Sequence, residues 1–168
     1  ANQPPSYAAS AGAGPRHCAF HPNGRSLYLV NELGNTVDVC GYAPESGEVV
    51  NQQTIATLPP NAAPGNTAAE VLVHPSGAFL YASNRGHDSI AAYRIDPADG
   101  RLSLLGFAPT QGRTPRGCGF AGDGRFLLVA NQDSDTLIVF AIDPHEGTLT
   151  ATGYQISVPA PVCVKTAA

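Results

Sequence analysis

A segment of about 50 residues recurs three times along this chain of 168 residues. The copies begin at residues 14, 66 and 113, and the same landmarks follow in the same order in each. These landmarks are a Gly in a first turn (Gly24, Gly77, Gly124), an Asn after the next apolar run (Asn31, Asn84, Asn131) and a Gly in a last turn (Gly47, Gly100, Gly147). A period of about 40–50 residues indicates a repeat architecture in which each copy forms one supersecondary unit.

Each copy has the pattern of four short strands. The first contains the apolar runs "RHCAFHP", "SLYLVNE", "TVDVCGYA" and "EVVNQQTIATL", separated by "NG", "LGN" and "PESG". Asn-Gly favours a tight hairpin turn, and no helical spacing of apolar residues is sustained. We therefore predict an all-β fold, a β-propeller with about three four-stranded antiparallel blades.

Three blades are fewer than a propeller needs. Propellers close with about 4–8 blades, and three blades would leave two sheet faces in water. We predict one partial propeller domain over residues 1–168, with repeats at about 14–60, 66–112 and 113–159. We expect it to be part of a larger propeller, or to be completed by a second chain or copy.

Composition excludes several classes of function. The net charge is −4, and the basic residues form no run, so we expect no nucleic-acid partner. No apolar run approaches 18 residues, and the first residues lack the pattern of a signal peptide, so we expect a cytoplasmic protein without membrane contact. The four cysteines (Cys18, Cys40, Cys118, Cys163) form no CxxC pair. We expect buried free thiols, with no metal and no cofactor.

Charged side chains recur at one end of the predicted blades. The start of the first strand and the end of the second meet at the end opposite their hairpin turn, about 4.8 Å apart. These positions hold Arg16, His17, Glu32, Glu70, Arg85, His87 and Arg116. Because the first strand of a blade is the innermost, the side chains should surround one channel mouth. Cations with two carboxylates in a concave site indicate an anionic ligand and an acid–base group.

A purely structural interpretation of these residues stays open. Arg16 with Glu32, and Glu70 with Arg85, would also serve as ion pairs that join neighbouring strands. Two other histidines, His21 and His74, precede Pro at the opposite end and are expected to bond their own turns. No GxSxG motif occurs, so a serine nucleophile is not expected.

Several of these motifs resemble one known family. "GPRHCAFHPNG", "LYLVNELGNTV", "FLYASNRGHDSI" and the closing "VPAPVCVK" are similar to the bacterial seven-bladed β-propeller lactonases, the propeller type of 6-phosphogluconolactonase. That family is related to the carboxymuconate-lactonising enzymes. The resemblance corresponds to the C-terminal half of the family. It implies a hydrolase that opens 6-phospho-D-glucono-1,5-lactone, a small anionic sugar lactone, to 6-phosphogluconate in the pentose phosphate pathway.

The resemblance also implies roles for the clustered residues. Glu32 would act as general base or acid, and Arg85 and Arg16 would stabilise an oxyanion or hold the phosphate. The further candidates for substrate binding are His17, Glu70, His87 and Arg116. The third copy has Gly117 where the family has a His, and the family's upstream blades, with a catalytic His, are not matched. The alternatives are a non-catalytic propeller that binds a ligand, and a lactonising cyclase.

Overall fold

Twelve strands form three four-stranded antiparallel sheets in the computed structural model, which describes residues 6–166. Blade A contains β1 (Pro15–Phe20), β2 (Ser26–Asn31), β3 (Thr36–Ala43) and β4 (Glu48–Ala56). Blade B contains β5 (Thr67–Val73), β6 (Phe79–Arg85), β7 (Ser89–Ile95) and β8 (Leu102–Pro109). Blade C contains β9 (Pro115–Ala121), β10 (Phe126–Asn131), β11 (Thr136–Ile142) and β12 (Leu149–Ser157), with a 3₁₀ turn at Gln132–Ser134.

The prediction of an all-β propeller with three four-stranded blades is confirmed. In each blade the strands are hydrogen-bonded in chain order, because short turns join antiparallel neighbours. The turn between the first two strands uses a Gly in the left-handed region, with φ of 69° at Gly24 and 75° at Gly77. The predicted domain also includes residues 1–5 and 167–168, which lie outside the described residues, so its extent stays a prediction. No helix among residues 6–166 is long and apolar enough to cross a membrane.

The apolar core lies between the blades. Alternate side chains of β2 and β3, such as Tyr28 and Val39, pack against Leu80 and Tyr93 of blade B. The opposite face of blade B packs in the same way, with Phe79 against Leu127 of blade C. The alternation of side chains along each strand thus supplies blade B with two buried faces.

The four thiols differ in exposure, so the expectation that all of them are buried is wrong for two of them. Cys40 and Cys118 are buried, whereas Cys18 and Cys163 are exposed, and all four are free. Cys18 is exposed because it lies on the face of blade A that points away from blade B. Burial raises the pKa of the Cys40 thiol to about 11 and also raises the pKa of the Cys118 thiol.

We expect an aromatic disulfide reagent at pH 8 to modify Cys18 and Cys163 rapidly and the other two thiols only after denaturation. The thiolate is the reactive form, and buried thiols are both shielded and protonated at this pH. Counting released chromophore before and after addition of guanidinium chloride measures this. Rapid reaction of three or four thiols in the native protein would contradict the placement of Cys40 and Cys118.

The C-terminal segment, residues 161–166, lies along the innermost strand of blade C. The Thr166 hydroxyl donates to the Phe120 carbonyl at 2.9 Å. A Cβ atom at Gly117 would lie 2.6 Å from the Val162 carbonyl oxygen. The space at Gly117 is therefore filled by backbone, which gives a steric reason for the Gly at this position.

We expect Gly117→Ala to lower the free energy of unfolding by about 2–3 kcal/mol, because the backbone beside it must move. Gly34→Ala is the matched control, since the nearest atom to its added Cβ, Ala13 Cα, is 3.4 Å away. Urea titrations of both variants and the wild type measure the difference. Equal stability of Gly117→Ala and the wild type would show that segment 161–166 does not occupy this place.

Candidate active site

A β-bulge lies at the same end of each blade and changes the direction of a charged side chain. The ladder between the first two strands shifts register at Arg16 in blade A, at Arg116 in blade C and across residues 69–70 in blade B. A bulge leaves a residue unpaired and turns its side chain, and bulges are enriched beside active sites. The bulges lie at the end of each blade where its first strand begins, and there they position Arg16, Glu70 and Arg116.

Glu32 joins two arginines from different blades. Its Oε1 accepts from Arg85 Nη2 at 2.5 Å, and its Oε2 lies 3.4 Å from Arg16 Nε. Both guanidiniums also donate to backbone, Arg16 to the Ala69 carbonyl at 2.5 Å and Arg85 to the Ala68 carbonyl at 3.3 Å. The hydrogen bond from Arg85 is the largest of several causes that hold the pKa of the Glu32 carboxyl below its usual value. Glu32 is therefore ionised at neutral pH and weakly basic.

The lowered pKa of Glu32 predicts a loss of stability in acid. A carboxyl group whose pKa is lower in the folded state stabilises the protein above its unfolded pKa, about 4.3, and loses that effect as the pH falls through the folded pKa. We expect the free energy of unfolding to decrease below pH 4.3, and to decrease less in Glu32→Gln. Urea titrations at pH 6 and pH 3.5 measure the decrease in the free energy of unfolding for the wild type and for Glu32→Gln. An equal decrease in the variant would show that other carboxylates account for it.

A second pair, His17 and Glu70, also crosses from blade A to blade B. His17 Nδ1 lies 2.7 Å from Glu70 Oε1, and Arg16 Nη1 lies 3.2 Å and 3.3 Å from the two ring nitrogens. The backbone N–H of Glu70 donates to the Ser83 hydroxyl at 3.0 Å, which holds the bulge in place. The His17 side chain is 45% exposed and the Glu70 side chain 19%. An accessible imidazole with a carboxylate on one nitrogen has the arrangement of a general base with its orienting group.

Arg116 is a third cation near these pairs. Its Nη1 is 3.4 Å from the Gln132 side-chain oxygen, a long contact that leaves its donors largely unused. Together with the larger effects of Arg85 and Arg16, its charge lowers the pKa of the Glu32 carboxyl. Burial, followed by the charge of Arg85, also lowers the pKa of the Arg16 guanidinium. Three guanidiniums and two carboxylates thus give the cluster one excess positive charge when His17 is neutral.

Two expectations from the sequence, a place for His87 in the cluster and an ion pair of Glu70 with Arg85, differ from the structure. The sequence also gave no indication that Ser83 positions Glu70. His87 is turned away from the cluster, with its Nδ1 2.7 Å from the Ser89 hydroxyl and its ring edge-on to Phe107. Gly86, at φ 108°, begins the turn that directs His87 toward the outer strands. Glu70 contacts His17 rather than Arg85, so the expected pair of Glu70 with Arg85 is not formed. Ser83 holds Glu70 only because the bulge places the two residues opposite each other, and no motif in the chain indicates that placement.

The described residues contain no group of three or more His, Cys, Asp or Glu side chains that could hold a metal ion. An apolar groove also lies between blades B and C, lined by residues that include Leu105, Phe107 and Phe140. None of its lining residues is ionisable, so it offers no acid–base group. Within residues 6–166, ionisable side chains from different blades meet in the cluster of Arg16, His17, Glu32, Glu70 and Arg85.

Consecutive four-stranded antiparallel blades, with an Arg, His and Glu cluster at one end, define part of a β-propeller. Residues 1–166 match the family described as "Lactonase, 7-bladed beta-propeller", and the chain belongs to that family.

Named relatives come from several bacteria. A 6-phosphogluconolactonase of Bacillus subtilis is 36% identical over 111 residues, which are 66% of this chain and 32% of the relative. A 6-phosphogluconolactonase of Pectobacterium atrosepticum is 41% identical over 107 residues, which are 64% of this chain and 32% of the relative. The solved structure of the periplasmic gluconolactonase of Pseudomonas aeruginosa superimposes with a TM-score of 0.89 at 35% identity, covering 95% of this chain and 44% of that one. The matched part spans about a third of the length of the curated relatives.

Proposed function

We propose that this chain carries three blades of a lactone hydrolase that converts 6-phospho-D-glucono-1,5-lactone to 6-phosphogluconate. One observation carries the proposal: Arg16 and Arg85 contact Glu32, Arg16 also contacts the His17 ring of the His17–Glu70 pair, and the charge of Arg116 acts on both Glu32 and Arg16. The relatives named 6-phosphogluconolactonase support this choice of reaction.

The cations fit the charge of the substrate. A guanidinium offers a planar fork of N–H donors that matches a phosphate or an oxyanion, and it stays charged at every working pH. Arg85 Nε is buried without an acceptor among residues 6–166. We assign Arg116 to the phosphate, because its donors are the least engaged, and Arg85 with Arg16 to the lactone carbonyl oxygen.

The acid–base group is His17 rather than Glu32. Water displaces Arg16 Nη1 from Nε2 of His17, loses a proton to that nitrogen and attacks C1 of the lactone, and Arg85 stabilises the negative charge on the carbonyl oxygen. When the C1–ring oxygen bond breaks, the protonated imidazole returns the proton to the departing ring oxygen. Glu70 orients the ring of His17 and stabilises its positive charge. Glu32 is too weakly basic for this step, because Arg85 and Arg16 hold its charge, and it positions those two arginines.

The substrate of the proposed reaction is the product of an oxidation. A sugar δ-lactone forms when the hydroxyl at C1 of the cyclic sugar is oxidised, and its hydrolysis releases a carboxylate. We propose the pentose phosphate pathway and the cytoplasm as the setting, because the phosphorylated lactone arises there.

Lactone hydrolysis and product binding test the proposal together. The purified chain is assayed for acid release from 6-phospho-glucono-1,5-lactone, and its affinity for 6-phosphogluconate is measured by calorimetry. Arg116→Met should weaken product binding about 10-fold, through the loss of a charge-assisted contact. Arg101→Met is the matched control, because Arg101 is exposed and contacts Asp99 on an outer turn. Equal effects of Arg116→Met and Arg101→Met on product binding would refute the proposal.

A further inference from the structure

The joint between blades A and B contains two polar links that involve the outermost strands. The Gln53 side chain of β4 binds the backbone of Leu102 in β8, since its Nε2 donates to the Leu102 carbonyl at 2.9 Å and its Oε1 accepts the Leu102 N–H at 2.7 Å. The Tyr93 hydroxyl of β7 donates to the Ala56 carbonyl of β4 at 2.6 Å. Leu102 and Ala56 hold ladder positions whose backbone groups point away from the paired strand, which leaves these groups available to the neighbouring blade.

Both side chains are missing at the joint between blades B and C. The strand registers place Gly106 of β8 where blade A has Gln53, and Phe140 of β11 where blade B has Tyr93. Glycine has no carboxamide, and phenylalanine has no hydroxyl. The two polar links therefore cannot form at this joint.

The backbone groups that these side chains would bind are still present. Leu149 of β12 holds the ladder position of Leu102, and Pro109 of β8 holds that of Ala56. The hydrogen bonds beside both positions follow the same pattern as in the earlier blades, so the Leu149 N–H and carbonyl and the Pro109 carbonyl also point away from their paired strands. Among residues 6–166, no side chain forms a hydrogen bond with any of these three groups.

The missing side chains account for the apolar groove between blades B and C. Its volume is about 390 Å³. The lining contains the two residues that replace Gln53 and Tyr93 and the two whose backbone groups have lost a partner: Gly106, Phe140, Leu149 and Pro109. Ala92, which also lines the groove, stands where blade A has the larger Val39. A cavity of this size with apolar walls and a few convergent polar groups has the character of a small-molecule site.

The first joint shows which chemical group satisfies the polar end of this groove. The Leu149 N–H and carbonyl offer one donor and one acceptor, the same pair that Leu102 offers to the Gln53 carboxamide. A primary carboxamide has both complementary groups, whereas a carboxylate has no donor for the carbonyl. The lining also contains no cation to compensate a buried negative charge. The rings of Phe107 and Phe140 suit a flat apolar body.

We propose that the groove between blades B and C binds a small molecule with a primary carboxamide on a flat apolar body. The carboxamide bonds to the Leu149 backbone, in the place that the Gln53 side chain fills between blades A and B. The groove shares no residue with the cluster of Arg16 and Glu32, so this proposal is independent of the proposed function.

The test uses benzamide as the probe and the ¹⁵N-labelled chain as the receptor. We expect a saturable shift of the Leu149 backbone N–H resonance in NMR titrations with benzamide. N,N-dimethylbenzamide, which has no N–H donor, and benzoate, which carries a charge, should bind at least 10-fold more weakly. Equal affinity for benzamide and N,N-dimethylbenzamide would overturn the proposal, and so would the absence of a saturable shift up to the solubility limit of benzamide.

A pair of variants shows whether the probe enters the groove. Ala151 lines the groove, and blade B has Leu104 at the same ladder position, so Ala151→Leu should fill part of the space and weaken benzamide binding at least 10-fold. Ala98→Leu is the matched control, because Ala98 is exposed on a turn outside the groove, and it should bind benzamide as the wild type does. Urea titrations confirm that both variants fold. Equal effects of the two variants on binding would overturn the proposal.

A further variant tests the placement of the Pro109 carbonyl without any probe. Phe140→Tyr adds the hydroxyl that Tyr93 uses at the first joint, so the urea midpoint should rise as the Pro109 carbonyl gains a donor. Phe20→Tyr is the control, since Phe20 is 54% exposed and should leave the midpoint unchanged. A lower midpoint for Phe140→Tyr than for the wild type would show that the carbonyl does not face the groove and would contradict the proposed site.

Discussion

Replacement of Arg85 by Met is expected to lower kcat/KM for hydrolysis of 6-phospho-glucono-1,5-lactone by about 10³-fold, the effect of removing a donor to a developing oxyanion. Arg85 is the least exposed of the ion-paired arginines at the site, at 13% for its side chain. Its charge therefore acts where water screens it least. Steady-state kinetics with the phosphorylated lactone measure the loss, corrected for spontaneous hydrolysis.

Two further variants serve as controls for Arg85→Met. Arg85→Lys keeps the charge without the fork and should recover part of the activity, with a loss of about 10–100-fold. Arg101→Met removes an exposed guanidinium on an outer turn and should leave kcat/KM unchanged. A value within threefold of wild type for Arg85→Met would remove Arg85 from the reaction.

Replacement of His17 by Ala is expected to lower kcat by about 10³-fold with a small change in KM, because general-base catalysis contributes about 10²–10⁴-fold. Glu70→Gln keeps the shape of the partner but not its charge, and should lower kcat by about 10-fold through the orientation of the imidazole. The measurement is the separate determination of kcat and KM. A change confined to KM in His17→Ala would show that His17 binds substrate and does not accept a proton.

Glu32→Gln distinguishes the two candidate bases. If Glu32 only positions Arg16 and Arg85, its loss should lower kcat less than His17→Ala does, because both guanidiniums keep their hydrogen bonds to backbone carbonyls. A fall in kcat as large as that of His17→Ala, at constant KM, would instead assign the base to Glu32.

The repeat by itself determined the blades and the location of the charged cluster. Alternating apolar residues, Asn-Gly turns and recurring glycines act over a few residues, so they are visible in the sequence. Strand order in an antiparallel sheet follows from short turns, and this order brings Arg16 and Glu32 to one end of blade A. The location of the cluster therefore needed no three-dimensional information.

Only the tertiary structure decided which groups meet. Glu70 contacts His17, and Glu32 contacts Arg85, because blade B packs beside blade A at a particular height and angle. The bulges turn Arg16, Glu70 and Arg116 toward the charged cluster, whereas the turn at Gly86 takes His87 away from it. These outcomes depend on packing between segments about 50 residues apart, and no local pattern along the chain specifies the geometry of such contacts.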